Sequence, residues 1–393
     1  MNARIRLLLA RVATIGAALS LVFVGLGLTA PSAGATGHAR HVVVVSRATG
    51  ADGPHCGSWG SPCATITAGI GHAAPGDTVL VRPGRYHEQV VVPVALHLVG
   101  HGATVDATGL SQGSGMTMNA AAVLVLPGAS HSSIEGFRVS GAFGEGILVL
   151  SASHVEVAGN LVKGNDLGTP ENTGYFECQA QGEVPGDCGE GVHLMSATDS
   201  EVEGNVVTGN SGGVLVTDEF GPAHGNRILA NRVYANLYDC GITLPSHSAD
   251  AVDPNGVRRP DLGGVYGNLV AYNVVVGNGL KGEGAGVLIA AAQPGSATYD
   301  NVISRNLLAG NNLAGVTMHA HAPNQDINGN LVSWNVIGPN NLGGDPDAGV
   351  TATTGGLVFS AVPFVTVDVT ISHNLIHGNV NPIWTSPNVT VHH

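Results

Sequence analysis

Gly191-Val-His-Leu, Asn205-Val-Val-Thr-Gly-Asn210 and Gly213-Val-Leu-Val follow one another between residues 191 and 216. The way these pieces recur decides the fold. The Gly-apolar-x-apolar piece returns as Gly146-Ile-Leu-Val, Gly241-Ile-Thr-Leu, Gly286-Val-Leu-Ile and Gly315-Val-Thr-Met. The Asn-x-apolar-x-x-Asn piece returns at Asn160–Asn165, Asn231–Asn236, Asn273–Asn278, Asn306–Asn311, Asn335–Asn340 and Asn374–Asn379. A pattern repeated this often is an internal repeat. Alternation over three or four residues predicts short strands with every second side chain inward. Gly and Asn between them supply corners, because both tolerate left-handed backbone. One coil of three such strands cannot bury its apolar side alone, but stacked coils share one continuous core. Asn repeated at one corner is placed to stack into a ladder of amides along the axis.

Composition agrees with an all-β chain. Of 393 residues only 11% are charged and 4% aromatic, while Gly numbers 58. So little charge leaves no solvated face for long helices. The net charge of -13 argues against nucleic-acid binding, which needs a basic surface.

At the N-terminus, Arg4, Arg6 and Arg11 precede an apolar run from Val12 to Leu28, and Ala33-Gly34-Ala35 reads as a cleavage site. Residues 1–35 are therefore expected to be a secretory signal peptide and 36–393 the mature domain. The product is expected to be exported, to have no membrane contact once the leader is removed, and to be monomeric. Export favours disulfides. Cys56–Cys63 and Cys178–Cys188 are the economical pairs, each closing a short loop and leaving Cys240 over.

The early segments complete the pattern. Pro62-Cys-Ala-Thr-Ile-Thr-Ala-Gly-Ile leads to Ala74-Pro-Gly-Asp-Thr-Val-Leu-Val, Pro83-Gly-Arg-Tyr, Val90-Val-Val and Leu96-His-Leu-Val-Gly. With the repeats that follow, this series resembles the right-handed parallel β-helix of the pectate-lyase-like superfamily, in its secreted bacterial branch. The resemblance implies a single β-helix domain opened by a short capping helix near Thr65–Ala73, which plugs the end of the core. It also implies a place among lyases, hydrolases, epimerases and proteins without chemistry, so activity must be argued from residues.

Three stretches break the repeat, at about 166–187, 245–267 and 341–356, and such insertions tend to project from one face and build sites. Aligning the coils puts Asp218, Glu219 and His247 within one rung of one another. Asp239 and Glu190 fall at the opposite end of the same strands, and His319 and His321 two rungs further on. Paired carboxylates suit glycoside hydrolysis. The first expectation is therefore a secreted carbohydrate-active enzyme, a glycoside hydrolase on an extended polysaccharide. Asp218, Glu219, Asp239 and His247 are its catalytic candidates. Glu190, His193, Thr243, His319 and His321 are the substrate-binding candidates. A polysaccharide lyase or uronate C5-epimerase is the rival, with His247 as base and Ca²⁺ as an optional helper. A non-catalytic glycan-binding or structural protein is the third reading. No cofactor is required by the first. Two His at strand spacing are weak evidence for a metal, and five Met give a copper-delivery role little support.

Overall fold

The computed structural model describes residues 41–110, 121–165 and 190–393. The expected signal peptide, Cys178, Cys188 and the first insertion lie outside them. Arg40–His393 forms one compact unit.

The described chain winds as a right-handed parallel β-helix. Three long sheets run its length, with twelve strands in the first, ten in the second and ten in the third; a three-stranded sheet lies beside them. One coil shows the path. Gly212–Thr217 belongs to the second sheet, Arg227–Leu229 to the first and Arg232–Tyr234 to the third. The next coil repeats it with Ile242–Ser246, Leu269–Ala271 and Val274–Val276. Every pairing in the three sheets is parallel and in register, as in Val214↔Ile242, Ile228↔Val270 and Val233↔Val275. These three pairs are the apolar positions of the repeat, and all six side chains are fully buried. Each such burial is worth about 1.5–3 kcal/mol.

The corners explain the recurrence of Asn along the chain. Asn160, Asn205, Asn231, Asn273, Asn306, Asn335 and Asn374 form one ladder, each amide Nδ2 donating to the Oδ1 of the next at 3.0–3.1 Å. The backbone N–H of each rung donates to the same oxygen, as Asn231 does to Asn273 at 2.9 Å. Asn165 to Asn340 make a second ladder. A third, Asn226, Asn268, Asn301 and Asn330, was not anticipated. Buried polar groups in these corners are thus satisfied along the axis, coil by coil. The repeating Gly ahead of each second-sheet strand serves the second ladder. A Cβ on Gly191 would lie 2.8 Å from the Asn210 Nδ2, and one on Gly146 would lie 2.8 Å from that of Asn165.

The expected cap is present as the helix Ile66–Gly71. Thr65 is its N-cap, accepting from the Ala68 N–H at 3.1 Å, and Glu88 accepts from Ile66 and Thr67 N–H at 2.8 and 2.9 Å. Ile66 and Ile70 are buried over the end of the core. The Cys56–Cys63 disulfide forms beside it.

Candidate functional site

The outer face of the second sheet gathers the sequence's candidates. Its outward column runs Leu148, His193, Leu215, Thr243, Leu288, Thr317 in register, as the alignment of the repeat predicts. Apart from partly buried Leu288, these side chains are buried rather than open: none of the other five exceeds 5% exposure.

Asp218, Glu219 and His247 meet, as expected. Asp218 is completely buried and accepts from the His247, Ser248 and Gly264 backbone N–H groups at 2.6, 3.1 and 2.5 Å, and from the Ser246 hydroxyl at 2.8 Å. It therefore ties the second insertion to the end of its neighbouring strand. Burial pushes its carboxyl up, against these hydrogen bonds. Glu219 bonds His247 Nδ1 at 2.8 Å and accepts from the Thr217 hydroxyl. Thr217 meets His193 Nε2 at 2.7 Å, and His193 Nδ1 lies 3.4 Å from Glu145. This chain of five side chains crosses successive coils and is almost wholly shielded from solvent. Burial raises the Glu219 carboxyl, but the His247 bond and charge, with His193, bring it down to about 2. A fully bonded internal network of this kind fixes register between coils.

Glu190 and Asp239 lie at the other end of these strands, both buried. A methyl placed on Gly212 would stand 2.9 Å from Glu190 Oε1 and 3.2 Å from Asp239 Oδ2, so these two buried carboxylates flank the same glycine. Cys240 is buried among Ala285, Leu313 and Leu288 and accepts from the Ala285 N–H at 3.2 Å. Arg258, in the second insertion, is held by Asp326 and Asp300 at 2.6 and 3.0 Å and lies over Tyr299.

A different cluster forms where the third insertion folds back. His319 is the next-to-last residue of the strand Val316–Ala320 and His321 follows the strand, so the two fall on the same side at strand spacing. The insertion brings Asp345 and Asp347 to them. Asp345, fully buried, pairs with Val350 through two backbone bonds of 2.8 Å and accepts from the Ala348 N–H at 3.0 Å. Its other oxygen holds His319 Nε2 at 3.0 Å and the Thr317 hydroxyl at 3.3 Å. Burial raises the Asp345 carboxyl, but its bond to His319 outweighs this and keeps it low. That leaves His319 Nδ1 toward Asp347, 3.9 Å from its Oδ2, with His321 Nε2 3.8 Å from the same oxygen. His319, His321 and Asp347 each offer a ligand atom, and these lie within 4.8 Å of one another. The second group of that kind among the described residues, Cys56, Cys63 and His72, has its sulfurs in the disulfide. The loop also lines a cleft of about 330 Å³ with Glu283 and Asn312. Burial, and then the charges of Asp347 and Asp345, raise the Glu283 carboxyl. The sequence pointed to His319 and His321 but not to Asp345 or Asp347, whose positions no repeat sets. His247, a catalytic candidate from the sequence, lies apart from this cluster and is engaged by Glu219.

A family model described as "Periplasmic copper-binding protein (NosD)" matches residues 129–306 and 219–341, together more than half of the chain. The chain belongs to the NosD family. The NosD match includes His319 and His321 and stops just before Asp345 and Asp347. The family's description names copper, the metal that scarce Met had argued against; the available donors in this member are His and Asp instead. No curated protein matches the chain. Among solved structures, an alginate lyase from Paenibacillus sp. str. FPU-7 is similar at 13% identity and a TM-score of 0.53, over 89% of this chain and 99% of that one. The pectate lyase Pel9A is similar at 13% identity and a TM-score of 0.50, over 90% and 79%. These likenesses show the β-helix fold that this NosD-family protein shares with carbohydrate-active enzymes.

Proposed function

We propose that this protein binds copper in the cell envelope through His319, His321 and Asp347. The observation that carries the reading is the convergence of two imidazole nitrogens on one carboxylate oxygen, with the first imidazole already oriented by a buried Asp345. Imidazole with carboxylate suits Cu(II). Ca²⁺ takes about six to eight oxygens, so this donor set disfavours the helper considered from sequence. The Asp345–His319 bond is the carboxylate–histidine arrangement that orients metal-bound imidazoles. The NosD description and the disulfide, a mark of oxidising compartments, support an envelope location. The test is titration of the purified protein with Cu(II), followed by calorimetry and electron paramagnetic resonance. One ion per chain, with nitrogen hyperfine structure lost in the His319→Ala/His321→Ala double variant, is the expected result. A signal unchanged in that variant would remove the assignment.

A polysaccharide enzyme is the second reading, supported by the placement of the Glu190 and Asp239 carboxylates on either side of Gly212. It predicts new reducing ends from a polysaccharide panel, without unsaturated products, and their loss in Glu190→Gln and Asp239→Asn.

A further inference from the structure

The third sheet carries a surface unlike the rest of the molecule. From the strand Arg138–Ser140 onward, the residue two ahead of each of its strands turns the corner in the left-handed region, Ala230 among them at 52°. Glycine fills that position at Gly159 and Gly204, with φ of 62° and 64°. Later coils place Tyr272, Arg305, Trp334 and His373 there, at 61°, 58°, 59° and 55°. Side chains with this backbone are disfavoured, and residues kept in such a state point to a use for what they display.

What they display is an exposed strip along the axis. Tyr272 and Trp334 are each 53% exposed. Trp334 stacks on His373 with centroids 4.1 Å apart, and Arg305 lies 5.8 Å from the Tyr272 ring. Beside the strip, the sheet's outward column is apolar in register, Val274, Leu307, Val336 and Leu375. Its last members are open, Val336 at 39% and Leu375 at 61%. Arg232 stands next to Val274 in the same column and is exposed. No Asp or Glu occurs in the third-sheet strands from Leu161–Lys163 to Leu375–Ile376, or in the corner dipeptides ahead of them, although the chain's net charge is -13.

We propose that this face of the β-helix docks on an anionic lipid surface. Exposed Val and Leu supply apolar contact, Trp and Tyr are the side chains that favour the membrane–water boundary, and Arg without neighbouring carboxylates meets anionic headgroups. A glycan would call for hydrogen-bonding side chains where this column has Val and Leu. The proposal is independent of the copper centre. It departs from the expectation that the chain has no membrane contact after its leader is removed.

Co-sedimentation of the compact unit, residues 40–393, with phosphatidylcholine vesicles with and without phosphatidylglycerol tests it. Binding is expected on the anionic vesicles, weakened by salt. Arg305→Gly should lower the apparent affinity about fivefold, the loss of one interfacial cation, and Arg305→Gly/Trp334→Gly should abolish binding. Glycine already occupies this corner in other coils, so these variants keep the fold, which circular dichroism verifies. Absence of vesicle binding, equal binding to neutral vesicles, or unchanged binding by the double variant would overturn the proposal. So would variant-sensitive retention of soluble polygalacturonate without vesicle binding, which would identify an acidic glycan. Variant-sensitive dimerisation without vesicle binding would identify a second copy.

Discussion

Asp345→Asn tests the copper centre at the contact on which its geometry depends. In the native protein Asp345 is fully buried and acceptor-only toward His319, whose Nε2 it holds at 3.0 Å. This places the proton on Nε2 and leaves the Nδ1 lone pair toward Asp347. Asn in the same position keeps an oxygen for the Ala348 N–H, so the loop retains its turn. It presents an amide donor to His319, and two donors cannot face each other. The imidazole then carries its proton on Nδ1, the atom the metal needs. Losing an orienting partner of this kind costs about 10–100-fold in metal affinity, or about 1.4–2.7 kcal/mol. Competitive Cu(II) titration of the native and Asp345→Asn proteins measures it, with circular dichroism as the folding control. Native binding together with an unchanged affinity in the variant would refute the orienting role while leaving the His319, His321 and Asp347 assignment in place.

Two further outcomes concern the scaffold. Asn273 sits mid-ladder, with its Nδ2 bonded to Ile228 O at 2.8 Å and Asn306 Oδ1 at 3.0 Å, and its Oδ1 bonded by Asn231. Asn273→Ala strands several buried groups at once and should cost about 3 kcal/mol, read as a lower urea midpoint, whereas Asn374→Ala at the ladder's end should cost about half as much. In acid, Asp106 is held at about 2 by Arg85 and Thr108 against the opposing push of burial. The unfolded chain binds this proton more readily. The stability it contributes, up to about 2 kcal/mol, is therefore present above about pH 4 and lost as pH falls through about 2. The stability difference between native protein and Asp106→Asn should vanish over that range; a difference constant with pH would contradict it.

Most of the coil architecture was legible because the repeat states it twice, once in alternating apolar residues and once in Asn. The third ladder was legible as well. Asn226-Arg-Ile-Leu-Ala-Asn231 and Asn268-Leu-Val-Ala-Tyr-Asn273 obey the same Asn-x-apolar-x-x-Asn rule one step upstream, and reading the motif as a pair hid its extension to three. The cluster of Asp218, Glu219 and His247 followed from rung spacing alone. Its interior character did not, because which outward positions are covered depends on insertions that obey no period. For the same reason Asp345 and Asp347 went unseen: their height on the helix is set by the bonds of Asp345 to Val350 and His319, not by sequence distance.

The ladders also act as a ruler. Successive rungs are separated by 26 residues between Asn205 and Asn231, by 42 to Asn273, 33 to Asn306, 29 to Asn335 and 39 to Asn374. Each rung nonetheless advances the coil by the same strand spacing, about 4.8 Å. All the surplus chain leaves sideways. Loop length is thereby uncoupled from axial position, and residues can be gained or lost between two rungs without moving any other coil. Such a molecule can change what it binds by editing one turn, while its spine keeps the remaining turns at their addresses.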